Sequence, residues 1–411
     1  MDATVLVIFL FVYLGMILGK IPGFALDRTG IALLGAIALL AVDRIDPRVA
    51  WEAVDVPTIG LLLGLMVVSA QFRLAGFYTF ITRRLASSKL RPELLLAVLI
   101  AVVGILSALL ANDIVCLAMA PILVEGCAGQ RLDPVPFLLA LTCAANVGSA
   151  ATLIGNPQNM LIGQTLHLSF GGYLLAASVP ALFGLFIVWW VIKQHVGTNW
   201  QRAIVVPQVE APKFSAWQTA KGLFILGLLL LAFLFSRWPR EVLALAAAGL
   251  LLASRKMASR HILGLVDWQL LLLFIGLFIV NHVLQSSGML AEMLGGLKSA
   301  GVNVRQPVWL FTATVFLSNL VSNVPATMLL LPAASHPLSG PILALASTLA
   351  GNLLLVGSIA NIIVVDQAEK LNIRITWLEH ARVGVPVTIL SLAFTGGWLW
   401  LWANAFQKVG L

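Results

Sequence analysis

The stretch from Thr142 to Met160, TCAANVGSAATLIGNPQNM, limits what this chain can fold into more than any other. It begins as an apolar helix at 137–143 and then fills with small and polar residues: Asn146, Ser149, Thr152, Gly155, Asn156, Gln158 and Asn159. Pro157 has no amide hydrogen and interrupts a helical ladder. The flanks are apolar enough to lie in lipid, where irregular backbone survives only if it is buried in protein or lines a wet cavity. The stretch therefore reads as a broken membrane helix whose interruption faces a binding site.

Composition supports the bilayer setting. Of 411 residues, 60% are hydrophobic and 10% are charged, which marks an integral membrane protein with one membrane domain. The net charge of +8 reads as loop lysines and arginines facing an anionic leaflet, not as a nucleic-acid surface. Cys116, Cys127 and Cys143 have neither zinc-site nor disulfide spacing, and no metal or cofactor is expected. The first apolar run, Thr4 to Leu18, has no basic segment before it and reads as a span, not a cleaved signal.

Apolar runs predict ten spanning helices at 3–20, 29–43, 56–72, 136–166 (broken), 172–193, 218–236, 239–254, 268–287, 340–366 (broken) and 382–404. Two further segments, 92–128 and 305–333, each read as two apolar arms around a polar tip. A re-entrant hairpin accounts for each; a pair of full spans is the alternative, chiefly for 92–128 with its long arms. If the basic segment Arg73, Arg83, Arg84, Lys89 and Arg91 is cytoplasmic, alternation places both termini outside. Only Arg44, Arg48, Arg237, Arg240, Lys298, Arg305 and Lys408 then fall outside, and the other lysines and arginines, Arg255 among them, fall inside. The positive-inside rule is satisfied.

The two halves resemble each other. Asp55, Gly64 and Gly76 align with Asp267, Gly276 and Gly288 at one constant offset. Asn112 aligns with Asn323, Pro121 with Pro332, Asn146 with Asn352, GNPQN at 155–159 with GSIAN at 357–361, and Pro180 with Pro386. Each repeat holds five spans, an odd number, so the repeats are inverted in the membrane. The expected fold is an all-α polytopic membrane protein with about ten transmembrane helices, two re-entrant hairpins and two inverted five-helix repeats with broken helices. The expected divisions are 1–195 for the first repeat, 196–217 for a linker and 218–411 for the second repeat.

Four polar breaks converge under this symmetry: Asn112-Asp113, Ser149 to Asn159, Ser322-Asn323 to Thr327, and Gly357-Ser358 to Asn361. A broken helix offers unpaired amide donors and a positive dipole end, which suits a small solute or anion. The expected solute ligands are Asn112, Ser149, Thr152, Gly155, Asn156, Gln158, Asn159, Ser322, Asn323, Thr327, Gly357, Ser358 and Asn361. Asn and Ser also glue membrane helices together, which is the competing reading of each. A mid-membrane carboxylate is costly and persists when it carries a proton, binds a cation or pairs with a base. Asp113 is therefore the expected coupling-ion carrier, for H+ or Na+; capping of the second hairpin arm by Asn112 or Asp113 is the alternative. His282 reads as a helix contact, and His167, His195, His261 and His380 as loop residues. Cys116 and Cys143 read as packing, with contact to a thiophilic solute as the alternative. There is no HExxH, no GxSxG at a helix start and no acid pair, so an enzyme is not expected.

The motifs AND at 111–113, NVGSAATLIGNPQN at 146–159, SNVPAT at 322–327 and GSIAN at 357–361 resemble those of the ion-transporter superfamily. That group holds arsenite/antimonite permeases, sodium/proton antiporters, the melanosomal P protein, and citrate and dicarboxylate carriers. The likeness runs in order along nearly the whole chain and is nearest to arsenical-pump-like permeases of the inner-membrane branch. It implies a secondary transporter working by alternating access in a bacterial inner membrane, with proton-coupled efflux of arsenite, antimonite or a related small oxyanion. Sodium/proton antiport or carboxylate transport is the alternative within the superfamily. The dicarboxylate carriers have Ser-Asn-Thr at both hairpin tips, and this chain lacks both threonines. The likeness also implies a homodimer formed through the scaffold, the first two helices of each repeat. No Walker motif is present, so any ATPase would be a separate subunit.

Overall fold

The computed structural model describes residues 2–19, 25–207, 209–254 and 256–409, with side chains to 404. Lys20, at the end of the first expected span, and Arg255, among the expected cytoplasmic cations, lie outside these residues, as does the side chain of Lys408. The described residues form a helical bundle. The first half holds α1 (Ala3–Leu18), α2 (Arg28–Ala41), α3 (Pro47–Glu52), α4 (Val56–Leu74), α5 (Phe77–Ala86), α6 (Pro92–Leu109), α7 (Asn112–Gly129), α8 (Pro134–Ser149), α9 (Pro157–Thr165) and α10 (Phe170–Val196). The same series recurs as α11 (Ala216–Phe235), α12 (Arg240–Leu252), α13 (Ser259–Leu263), α14 (Trp268–Ser286), α15 (Met289–Ser299), α16 (Pro307–Val321), α17 (Asn323–Leu330), α18 (Ser339–Ala350), α19 (Ile359–Glu369) and α20 (Trp377–Val409).

The recurrence extends to helix ends. Asp55 caps α4 by accepting the Thr58 N–H at 2.9 Å, and Asp267 caps α14 by accepting that of Leu270 at 2.9 Å. Gly76 and Gly288 turn the chain into α5 and α15 with φ of 69° and 77°, a region glycine enters without a Cβ penalty.

Packing between the halves is reciprocal. A Cβ on Gly64 would sit 2.6 Å from the backbone carbon of Ala244, and one on Gly276 would sit 2.8 Å from that of Ala32. The repeat alignment pairs Gly64 with Gly276 and Ala32 with Ala244. Residue i therefore meets j while the counterpart of j meets the counterpart of i, as a two-fold relation requires. Small residues at these crossings let α4 approach α12, and α14 approach α2, nearly backbone to backbone.

Among the described residues, seven helices are individually long and apolar enough to cross a membrane, and α6 and α7 are among them. Length alone thus leaves 92–128 open to two full crossings. Its tip settles the point. The Ala111 N–H donates to Ser69 Oγ at 3.1 Å, within α4, and the Asn112 N–H donates to the Gly155 carbonyl at 3.4 Å, within the interruption between α8 and α9. The turn between α6 and α7 therefore lies at the depth of a helix break, and the pair is re-entrant. The second hairpin has a shorter return arm, α17, followed by a 3-10 turn at Leu331–Ala333.

His380, expected in a loop, is buried in the first turn of α20. Thr376 and Glu379 form a reciprocal capping box there: the Glu379 N–H donates to Thr376 Oγ1 at 3.2 Å, and the Thr376 N–H donates to Glu379 Oε2 at 2.7 Å. This box starts the helix at Trp377, ahead of the expected 382. His195 and His261 likewise belong to the last turns of α10 and α13.

Gly64→Val and Gly276→Val should each destabilise the protein by about 1–3 kcal/mol or more, because overpacking here presses on backbone. Thermal unfolding in detergent measures this, with Gly396→Val, where a Cβ meets nothing within 4 Å, as the neutral control.

Candidate functional site

Each broken helix is completed by one asparagine. In α9, Asn159 Nδ2 donates to the carbonyls of Thr152 at 2.9 Å and Ser149 at 3.4 Å. In α19, Asn361 Nδ2 donates to the carbonyls of Leu354 at 3.1 Å and Gly351 at 2.9 Å. The reach is the same in both repeats, back seven and ten residues into the uncoiled segment. The amide oxygens complete a second symmetric pair. Thr348 Oγ1 donates to Asn159 Oδ1 at 3.3 Å, and Thr142 Oγ1 donates to Asn361 Oδ1. Thr142 and Thr348 are themselves aligned by the repeat. Where the repeats meet, Asn146 Nδ2 donates to Asn352 Oδ1 at 2.8 Å, and Ser358 Oγ donates to Asn146 Oδ1 at 2.9 Å.

The half-helices that follow the breaks are capped by their own side chains. Asn156 Oδ1 accepts the Asn159 N–H at 2.9 Å, and Ser358 Oγ accepts the Ala360 N–H at 3.2 Å. The first turns of α9 and α19 thus meet the first turns of the hairpin return arms α7 and α17. They enclose a cavity of about 30 Å³ lined by Asn112, Asp113, Asn146, Asn156, Pro157, Gln158, Leu270, Ser322, Asn323, Val324, Ser358 and Ile359. Four helix N-termini point their partial positive charge at one small space, without a lysine or arginine in its wall. Larger clefts of about 910 and 660 Å³ lie elsewhere, beside the end of α9 and beside α5.

The cavity gathers seven of the residues singled out from sequence: Asn112, Asp113, Asn156, Gln158, Ser322, Asn323 and Ser358. The others stand behind the wall. Asn159 and Asn361 brace the breaks as described. Ser149 Oγ donates to the Asn146 carbonyl at 2.8 Å and accepts from Asn156 Nδ2 at 3.0 Å. Thr152 Oγ1 donates to the Ala108 carbonyl at 2.5 Å, tying the break to the hairpin. Gly155 and Gly357 allow close packing against Ser149 and against Asn319 and Gly351. Thr327 is fully buried, its hydroxyl without a partner. Cys116 and Cys143 are fully buried and outside the cavity lining.

Asp113 lines the cavity with no hydrogen-bond or ion-pair partner among the described residues. It does not cap α7, whose N-cap is Ala111 with no side-chain hydrogen bond. The position matched to Asp113 in the second repeat is Val324, so the carboxylate is single. Asn112 and Asn323, matched at the two tips, are buried with amide oxygens that lack a donor. Ser322 has φ 78° and ψ 161°, a region almost restricted to glycine, so its backbone is strained at the hairpin tip. Three participants carry no site assignment from sequence: Asn146, Thr142 and Thr348. The repeat alignment held the signal for the threonines, since they occupy matched positions facing matched asparagines.

An inverted-repeat bundle with a small polar cavity among broken helices defines a membrane transporter. The chain belongs to the citrate transporter family, whose model matches residues 8–350. It is 30% identical to the inner membrane protein YbiR of Escherichia coli, over 80% of this chain and 84% of that one. It is 27% identical to the silicon efflux transporter LSI3 of rice, over 91% and 92%. Its fold matches that of the Alcanivorax borkumensis YdaH transporter with a TM-score of 0.59 at 15% identity, covering 99% of each chain.

Asn146→Ala should lower stability by about 1–3 kcal/mol, because it removes three buried partners at once and strands Ser358 and Asn352. Chemical unfolding in detergent reads the loss; a shift no larger than that of Asn404→Ala, on a half-buried turn near the chain end, would contradict the bracing role.

Proposed function

We propose that this chain is a secondary active transporter that moves a small, uncharged, hydroxylated solute by alternating access, with the proton carried on Asp113. The solute class is that of undissociated arsenite, antimonite or a chemically similar hydroxide, and efflux is the direction. The observation that carries this reading is the pair of buried amide oxygens on Asn112 and Asn323, which have no donor among the described residues. A hydroxide brings O–H donors to them, and the helix N-termini donate to its oxygens. The carboxylates of a citrate-like solute are acceptors only, and its single hydroxyl can serve one of the two amide oxygens, leaving the other unsatisfied at about 1–3 kcal/mol. The cavity also suits a solute of a few atoms better than a tricarboxylate. The relatives support the same class: one is named a silicon efflux transporter and another a putative transporter arsB. Dissolved silicon and trivalent arsenic are both uncharged hydroxides in neutral water.

The expected ligands are the residues that line the cavity, namely Asn112, Asn156, Gln158, Ser322, Asn323 and Ser358. Ser149, Thr152, Gly155, Asn159, Thr327, Gly357 and Asn361 shape it from behind. Residues 1–195 and 218–411 form the two repeats with 196–217 between them, in a bacterial inner membrane with both termini outside. Sodium is the second reading for the coupling ion, favoured by the unpaired carboxylate of Asp113 beside neutral oxygen donors.

Purified protein in proteoliposomes tests this. An imposed proton gradient should drive arsenite and silicic acid in the direction opposite to proton flow, and citrate should not move. Asp113→Asn should fold normally and lose gradient-driven flux. Flux that follows a sodium gradient instead would replace the proton; citrate flux without arsenite flux would overturn the solute class.

A further inference from the structure

Arg240 is the first residue of α12, and its match in the other repeat, Arg28, is the first residue of α2. A cation in the first helical turn opposes the helix dipole. Its presence in both repeats therefore calls for a tertiary partner. Arg240 has one: its Nη2 donates to the Gly163 carbonyl at 2.7 Å, in the last turn of α9. Next to it, Gln164 Nε2 donates to Glu241 Oε2 at 2.9 Å. A guanidinium on the last carbonyls of a helix complements its negative end. Here it ties the second half of the broken helix to the scaffold.

The matched contact in the other repeat is absent. Arg28 would meet the last turn of α19, at Val365 and Asp366. Among the described residues Arg28 makes no hydrogen bond or ion pair, and its Nε is buried without a partner. Asp366 pairs instead with Lys370 at 2.6 Å on its own helix. The same asymmetry runs through the neighbouring packing. α9 lies against α4, and α19 makes no packing of that extent against α14. Two copies of one motif thus stand in two states, one engaged and one free.

We propose that Arg240 and Arg28 are paired latches of the transport cycle. Arg240 holds the α9 end against α12 in the state seen here, and Arg28 holds the α19 end against α2, through the Val365 carbonyl, in the opposite state. Engagement of one requires release of the other, because the half-helices move with the cavity between the two scaffold ends. This rests on the alternating-access reading above and adds the residues that set which end is closed.

Disulfide trapping in native membranes tests it without any solute. One cysteine pair replaces Gln164 and Glu241; the matched pair replaces Asp366 and Thr29. The native cysteines Cys116, Cys127 and Cys143 are buried and stay in place. Cross-linking is scored by loss of maleimide-polyethylene glycol labelling. Both pairs should cross-link, each in its own state. Arg240→Ala should lower the 164–241 cross-link by about fivefold or more relative to the 29–366 cross-link, Arg28→Ala should do the reverse, and Arg240→Lys should fall between. Failure of the 29–366 pair to form in any background would overturn the proposal. So would loss of the 164–241 cross-link in Arg240→Ala with no gain at 29–366, the mark of a purely structural bond. Exchange of the cross-links in a protein that moves no hydroxide would uphold the latches and reject only the solute.

Discussion

The structure depends on how uncoiled backbone is kept satisfied in a place without water. Two helices stop partway through the bundle, and the carbonyls they expose have no access to lipid-side partners. Asn159 and Asn361 replace the missing helical donors, each reaching the same two carbonyls of its own break. Their amide oxygens are then held by threonines of the opposite repeat. Neither break is complete within its own repeat. An unmade buried hydrogen bond costs about 1–3 kcal/mol, so several such bonds amount to a sizeable part of a protein's stability. The pseudo-symmetry is thus a consequence of local chemistry as much as of ancestry: each half needs the other half's Thr.

That bracing frees the opposite ends of the half-helices. Because carbonyls are satisfied from behind, the N-termini of α9 and α19 can face the cavity with those of α7 and α17. The wall is then positive by backbone dipole alone and needs no arginine. Symmetry holds for the frame and fails where chemistry is expected. Asp113 is matched by Val324, Gln158 by Ala360, and Ala111 by Ser322 with its strained backbone.

Much of this was legible in the amino-acid order, for a physical reason. In an apolar chain every polar break is costly, so the interruptions at 150–156 and 351–358 and the tips at 111–112 and 322–323 stand out. The long arms of 92–128 were ambiguous because eighteen apolar residues suit a full span as well as a hairpin arm; only the contact of Asn112 with Gly155 separates the two. Which polar residue lines the cavity and which braces the backbone was not legible. Asn112 and Asn159 are the same residue type in similar surroundings, and their roles differ by the register of the chain around each break. The start of α20 was readable in principle, since Thr376 and Glu379 have capping-box spacing, but the apolar run that begins later masked it.

The single carboxylate gives the cavity its leverage. Four dipole ends attract oxygen-rich solutes, and an ionised Asp113 cancels part of that field. In the proposed cycle an ionised Asp113 accepts an O–H of the solute and a protonated one does not, so the solute and the proton weaken each other's binding by the same factor, as exchange requires. A neutral hydroxide feels this through the polarity of its O–H groups and the state of Asp113 as donor or acceptor, whereas an anion would feel it directly as charge. A fixed arginine in the wall would swamp that difference, and the cavity lining holds none among the described residues.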